Sequence, residues 1–147
     1  MSLRELYQSY NGLVQFLPIY IREAHPVDGW WMGGGIMGKM VKKYSPAVAV
    51  DVYDPLTIEE RRTVANRCET ILQYAIRTYV DEMDDHVSKL YAAKPTRLYL
   101  VGLDGRVVYA GGIGPYGFKP NELKRAIDTY LRLITSETAK RNLLYSD

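Results

Sequence analysis

The sequence predicts an α/β domain of three layers (α/β/α), with a mixed sheet and a closing antiparallel hairpin and helix. Three observations carry that reading. Apolar residues recur at helical spacing in separate segments, short β-branched runs fall between them, and Asp104-Gly105 between two apolar runs marks a hairpin turn. A chain of 147 residues with 47% hydrophobic content has the length and apolar material for one core, hence one domain over residues 1–147.

Leu3, Leu6, Tyr7 and Tyr10 share a helical face, and Asn11-Gly12 supplies the left-handed stop that ends such a helix. Residues 13–21 read as a buried strand, in which Pro18 lacks a ladder donor and belongs at an edge or a bulge. From Glu23 to Tyr44 the periodicity gives way to a loop rich in Gly, Met and Trp, and residues 47–53 form a short β-branched strand. Thr57 and Glu60 make a capping box, the hydroxyl and the carboxylate each satisfying a free backbone N–H, so a helix is expected over 58–76. Its inward face carries Ile58, Arg61, Ala65, Cys68, Leu72 and Ala75. Residues 78–80 read as a short strand, and 82–91 as a short helix turning Met83, Val87 and Leu90 inward.

The hairpin strands are 97–101 and 106–110, and a glycine-rich bend follows at 111–117. Pro120 suits the first turn of a last helix whose buried stripe is Leu123, Ala126, Ile127, Tyr130, Leu131 and Ile134, with 137–147 expected as a flexible tail. This order of elements is that of a thioredoxin-like domain whose first, central strand is missing. In that architecture a reactive thiol sits at the amino end of the helix after the central strand, where the dipole lowers its pKa. The present chain is expected to start partway along that helix. Strands 13–21 and 97–101 would then flank a vacancy with a strand spacing of about 4.8 Å, and backbone groups unpaired there favour a homo-oligomer, such as a homodimer, through the exposed sheet edge.

A net charge of +2, with Lys and Arg scattered, argues against a nucleic-acid partner. The longest apolar run, 13–21, is far shorter than the roughly 20 residues of a membrane-spanning helix, and Arg4 and Glu5 stand where a signal peptide's apolar core would begin. A soluble, cytoplasmic protein with no membrane span is expected. Cys68 is the only cysteine, which excludes an internal disulfide and a Cys-x-x-Cys couple; its apolar helix face favours a structural role, the alternative being a catalytic, peroxide- or substrate-reactive thiol, which would need exposure and a lowered pKa. Gly33-x-x-x-x-Gly38-Lys39 imitates a phosphate loop, but Met40 replaces the hydroxyl that would hold magnesium. Glu23, His25 and Asp28 lack a metal-ligand pattern, and His86 beside Asp84 and Asp85 reads as a solvated helix face. No cofactor and no metal are expected. Trp30, Trp31, Met32, Ile36, Met37 and Met40 are costly to leave in water, so their loop folds over the core or binds a partner.

Glu23 and His25 stand just past a strand's carboxyl end, where α/β sheets place functional groups. A carboxylate two residues from a histidine can orient the ring and raise its basicity, which suits a proton relay. The plainer alternative is that His25 caps the loop through backbone carbonyls while Asp28 and Trp30 pin it.

The stretch Tyr20-Ile21-Arg22-Glu23-Ala24-His25-Pro26-Val27-Asp28-Gly29-Trp30 resembles the YIxEAHxxDGW signature of the iodothyronine deiodinases. Residues 54–61 resemble the family's helix start, 97–101 its hairpin strand, and 111–118 its glycine bend, so the resemblance runs from about Leu6 to Leu131. It implies a thioredoxin-like reductase in which a selenocysteine, or a cysteine in bacterial relatives, removes iodine from an aromatic ring. That residue is expected upstream of everything present here, leaving the chain truncated or inactive as it stands. The resemblance assigns the proton relay to Glu23 and His25, and substrate contact to Tyr20, Asp28, Trp30 and Arg97, with a small aromatic ligand as partner. Pro55 stands where animal members have His, Thr96 where they usually have Glu, and Ile113 where an Arg can clamp the substrate carboxylate. These departures imply that hormone itself is not the ligand. The rival expectation is a non-catalytic binding module built on the Trp/Met loop and the Glu23–His25 pocket.

Overall fold

The structure is a computed structural model and describes residues 1–23, 52–72 and 76–144. The elements are α1 (Leu3–Tyr10), β1 (Ile19–Tyr20), α2 (Ile58–Leu72), β2 (Tyr79–Val80), α3 (His86–Leu90), β3 (Tyr99–Val101), β4 (Val107–Ala110) and α4 (Pro120–Leu144). They fall into two compact units, Leu3–Pro95 and, with Met1–Ser2, Thr96–Asp147. The described strands make two two-stranded sheets, β1–β2 and β3–β4. The chain is therefore an α/β protein with short sheets.

In the first unit, α1 buries Leu6 and Tyr10. The strand expected over 13–21 is reduced to Ile19–Tyr20, and Leu13 and Leu17 lie exposed. The reason is local. The Tyr10 carbonyl accepts the N–H groups of both Leu13 and Val14, at 2.8 Å each, so α1 ends in a turn that uses donors a strand would need. The ladder begins only after Pro18, whose carbonyl accepts from Tyr79 N at 2.8 Å and whose missing N–H is not called on. β1 and β2 run parallel, Ile19 opposite Tyr79 and Tyr20 opposite Val80. Of the strand expected over 47–53, only Val52 and Tyr53 are described, and they are irregular, with Val52 buried.

The capping box of α2 forms as the sequence predicts: Glu60 N donates to Thr57 Oγ1 at 3.2 Å, and Glu60 Oε2 accepts from Leu56 N at 2.8 Å and Thr57 N at 3.3 Å. The helix buries Arg61, Val64 and Ala65. α3 begins four residues later than expected. Asp85 takes a left-handed conformation (φ 58°) that breaks the chain just before His86, and this changes the helical phase. Ser88 is consequently the buried residue of α3, whereas Met83 and Leu90 face solvent instead of the core.

In the second unit, β3 and β4 are antiparallel, with Tyr99 opposite Ala110, Leu100 opposite Tyr109 and Val101 opposite Val107, and a bulge after Leu100. The loop is longer than a two-residue turn. Gly102 N donates to Arg106 O and Gly105 sits at φ +78°, the left-handed position that closes a three-residue hairpin loop. Tyr130 of α4 secures that loop, its hydroxyl accepting from Leu103 N at 2.7 Å. α4 buries Leu123 and Ile127 and half-buries Ala126, Tyr130, Leu131 and Ile134, the predicted stripe, and its backbone stays helical beyond Ser136 to Leu144. The Lys94–Pro95 and Gly114–Pro115 peptides are cis.

Candidate functional site: a phenol, a carboxylate and a thiol

The first unit gathers three of the residues singled out in the sequence. β1 ends at Tyr20, and the chain then turns so that Glu23 comes back over the strand end, where the Tyr20 hydroxyl donates to Glu23 Oε2 at 2.6 Å. Burial pushes the Tyr20 phenol well above its ordinary value, and its hydrogen bond to Glu23 and that residue's negative charge push the same way, against a smaller opposing effect of Arg61. The hydroxyl therefore keeps its proton while being tied to a group that can accept it.

Cys68 of α2 lies within electrostatic reach of both Glu23 and Tyr20. Its side chain is half-buried. Burial raises its thiol pKa, the Glu23 charge raises it further, and Arg67 partly offsets them. Tyr20 in turn feels Cys68. The thiol is held protonated near neutral pH, the opposite of the activation that a nucleophilic cysteine needs.

A charged scaffold surrounds this group. Arg22, between Tyr20 and Glu23, donates Nε and Nη2 to Asp54 Oδ2 at 2.9 and 2.5 Å. Its Nη1 also lies 4.0 Å from Asp85 Oδ2. Arg61, 2% exposed, reaches Asp85 Oδ1 from the other side at 3.0 Å. That contact is an ion pair through Nη2, and Arg61 Nε and Asp85 Oδ1 have no hydrogen-bond partner among the described residues. Arg61 Nη1 donates to the carbonyls of Asp81 at 3.3 Å and Glu82 at 2.6 Å, the two residues that follow β2. Asp81, 1% exposed, accepts from Glu82 N, Val87 N and Ser88 N and so caps α3.

The sequence reading missed Arg61 and Asp81. The signal for Arg61 was its place on the apolar stripe of α2, since a charge at a core position requires a partner across from it. For Asp81 the signal was an acidic run before a short helix.

His25, Asp28 and Trp30, the Trp/Met loop and the Gly33–Lys39 motif lie outside the described residues. Arg97 belongs to the second unit. There its Nε donates to Gly111 O at 2.6 Å and its guanidinium lies 5.1 Å from the centre of the Tyr99 ring, which fixes the glycine bend against the hairpin. Among the described residues no three His, Cys, Asp or Glu side chains gather as a metal site, and no helix is long and apolar enough to cross a membrane.

These features define a small α/β chain with a proton-holding phenol–carboxylate pair beside a thiol at the carboxyl end of a parallel strand pair. It belongs to the iodothyronine deiodinase family, whose family model matches residues 1–131. The chain is 33% identical to a thyroxine 5-deiodinase of Sparus aurata over 94% of its own length and 46% of that protein. A thyroxine 5-deiodinase of Aquarana catesbeiana is 35% identical over 84% of this chain and 40% of its own. A type I iodothyronine deiodinase of Xenopus laevis is 30% identical over 83% and 42%. The chain thus spans less than half the length of these relatives.

Proposed function

We propose that this chain supplies the proton-handling and substrate-facing part of a reductive dehalogenation of an iodinated aromatic ring, on a thioredoxin-like three-layer frame, and that it does not turn over by itself. The reaction replaces a carbon–iodine bond by a carbon–hydrogen bond. Iodine passes to a thiol or selenol, the chalcogen–iodine bond is then reduced by a second thiol with release of iodide, and the ring carbon takes a proton. Tyr20 and Glu23 suit the proton step, because Glu23 can take the proton that the thiol or selenol releases and the Tyr20 hydroxyl, itself kept neutral, can relay a proton along their hydrogen bond toward the ring carbon. That 2.6 Å bond is the observation that carries the reading. Cys68 does not suit the iodine step, since burial and Glu23 keep its thiol protonated.

The test is iodide release from an iodinated phenol. With dithiothreitol as sole reductant the expected rate is that of buffer. With an added small-molecule selenol the protein accelerates release, and Glu23→Gln loses most of that acceleration. Turnover with dithiothreitol that vanishes in Cys68→Ser would instead make Cys68 the iodine acceptor. Saturable binding of the phenol without acceleration would make the chain a binding module.

A further inference from the structure

We propose that Arg61 is the positioning residue of the Tyr20–Glu23 site, holding the carboxyl ends of both parallel strands from α2. It grips β2 directly, through the carbonyls of Asp81 and Glu82. It grips β1 indirectly: Asp85 lies between the Arg61 and Arg22 guanidinium groups, and Arg22 is the residue immediately before Glu23. Asp54 holds the far side of Arg22, so four alternating charges run from the core of α2 to the segment that carries the carboxylate.

Two features argue that this chain serves geometry more than stability. Burying a guanidinium is costly, and an ion pair offsets that cost only with full hydrogen bonding; among the described residues Arg61 Nε and Asp85 Oδ1 have no hydrogen-bond partner, Asp85 Oδ1 having only its ion-pair contact with Arg61 Nη2. Asp85 also adopts the left-handed conformation that few residues other than glycine tolerate, and asparagine and aspartate are among those few. Both features are costs accepted where the charges must meet at one place.

The catalytic consequence rests on the function proposed above, but the positioning can be read without turnover. Cys68 is the only thiol in the chain and senses the Glu23 charge. The experiment is the pH profile of Cys68 alkylation in the wild type, Arg61→Met, Arg61→Lys and Asp85→Asn, each with and without Glu23→Gln. Glu23→Gln alone should move the profile to lower pH. Arg61→Met should reproduce most of that movement, with labelling at least about threefold faster at pH 8, and Glu23→Gln should then add little. Arg61→Lys should recover part of the wild-type profile.

Asp85→Asn keeps a residue that tolerates the left-handed turn and leaves the carbonyl bonds of Arg61 in place. It should shift the profile in the same direction, and it decides the matter if Arg61→Met does not fold. A lower denaturation midpoint with an unmoved profile would overturn the proposal, as would a Glu23→Gln shift that persists in full without Arg61. A failed iodide assay with the predicted labelling pattern would count against the dehalogenation reading alone.

Discussion

Asp81 offers the sharpest test of how the first unit holds together. α3 has five residues, too few to sustain a helix on their own, and it is anchored by one buried carboxylate. Asp81 Oδ1 accepts from Glu82 N at 3.0 Å and Val87 N at 2.9 Å, and Oδ2 from Ser88 N at 2.8 Å. Asp81→Ala removes all three acceptors at once. Hydrogen bonds to a charged group contribute about 1.5–3 kcal/mol each, and water reaching the exposed side of α3 recovers part of the loss, so the expected cost is about 3–5 kcal/mol. That is a large share of the roughly 5–15 kcal/mol that holds a small domain folded. Asp81→Asn keeps one acceptor oxygen and should cost about half as much. Urea denaturation with a common slope measures both. An Asp81→Ala penalty below about 1 kcal/mol would refute the capping argument.

Three other perturbations follow from particular contacts. Ala92 ends α3 at φ 45°, with Ala93 N donating to Ser88 O and Ala92 N to Lys89 O, a helix stop that favours glycine; Ala92→Gly should raise stability by about 0.5–1 kcal/mol in the same urea assay. A Cβ on Gly117 would collide with the backbone of Gly112, so Gly117→Ala should cost about 1–3 kcal/mol and disturb the amide signals of the glycine bend. Burial raises both the Cys68 thiol, ordinarily at 9.0, and the Tyr20 phenol, ordinarily at 10.0. The native state keeps protons that the unfolded chain releases, so their stabilisation is complete below pH 9 and is lost as pH rises above it. Melting temperatures across that range should fall more steeply in the wild type than in Cys68→Ser.

What could be read from the sequence was what neighbouring residues decide among themselves. The Thr57–Glu60 box, the Asp104-Gly105 hairpin and the Leu123–Ile134 stripe all rest on contacts within a few residues, and each appears in the structure. The strand expected over 13–21 failed because the end of α1 captured the Leu13 and Val14 donors, a competition that hydrophobicity does not reveal. The phase of α3 failed because one left-handed residue, Asp85, reset it. Glu23 was legible as a functional residue from its place after a strand, whereas its bond to Tyr20 depends on a bend at Arg22 that spacing does not encode. The Arg61–Asp85–Arg22–Asp54 chain joins residues up to 63 positions apart in sequence, Arg22 to Asp85, and only the fold brings them together.

The phenol held neutral by burial and by its carboxylate neighbour is open to direct observation. With ring-labelled tyrosine, the Tyr20 Cζ resonance can be followed by NMR as pH rises, against free tyrosine in the same tube. Tyr20 should keep the phenol shift after the free standard has titrated, and Glu23→Gln should bring its titration down. A Tyr20 resonance that moves together with the standard, in the wild type and in Glu23→Gln alike, would contradict the account.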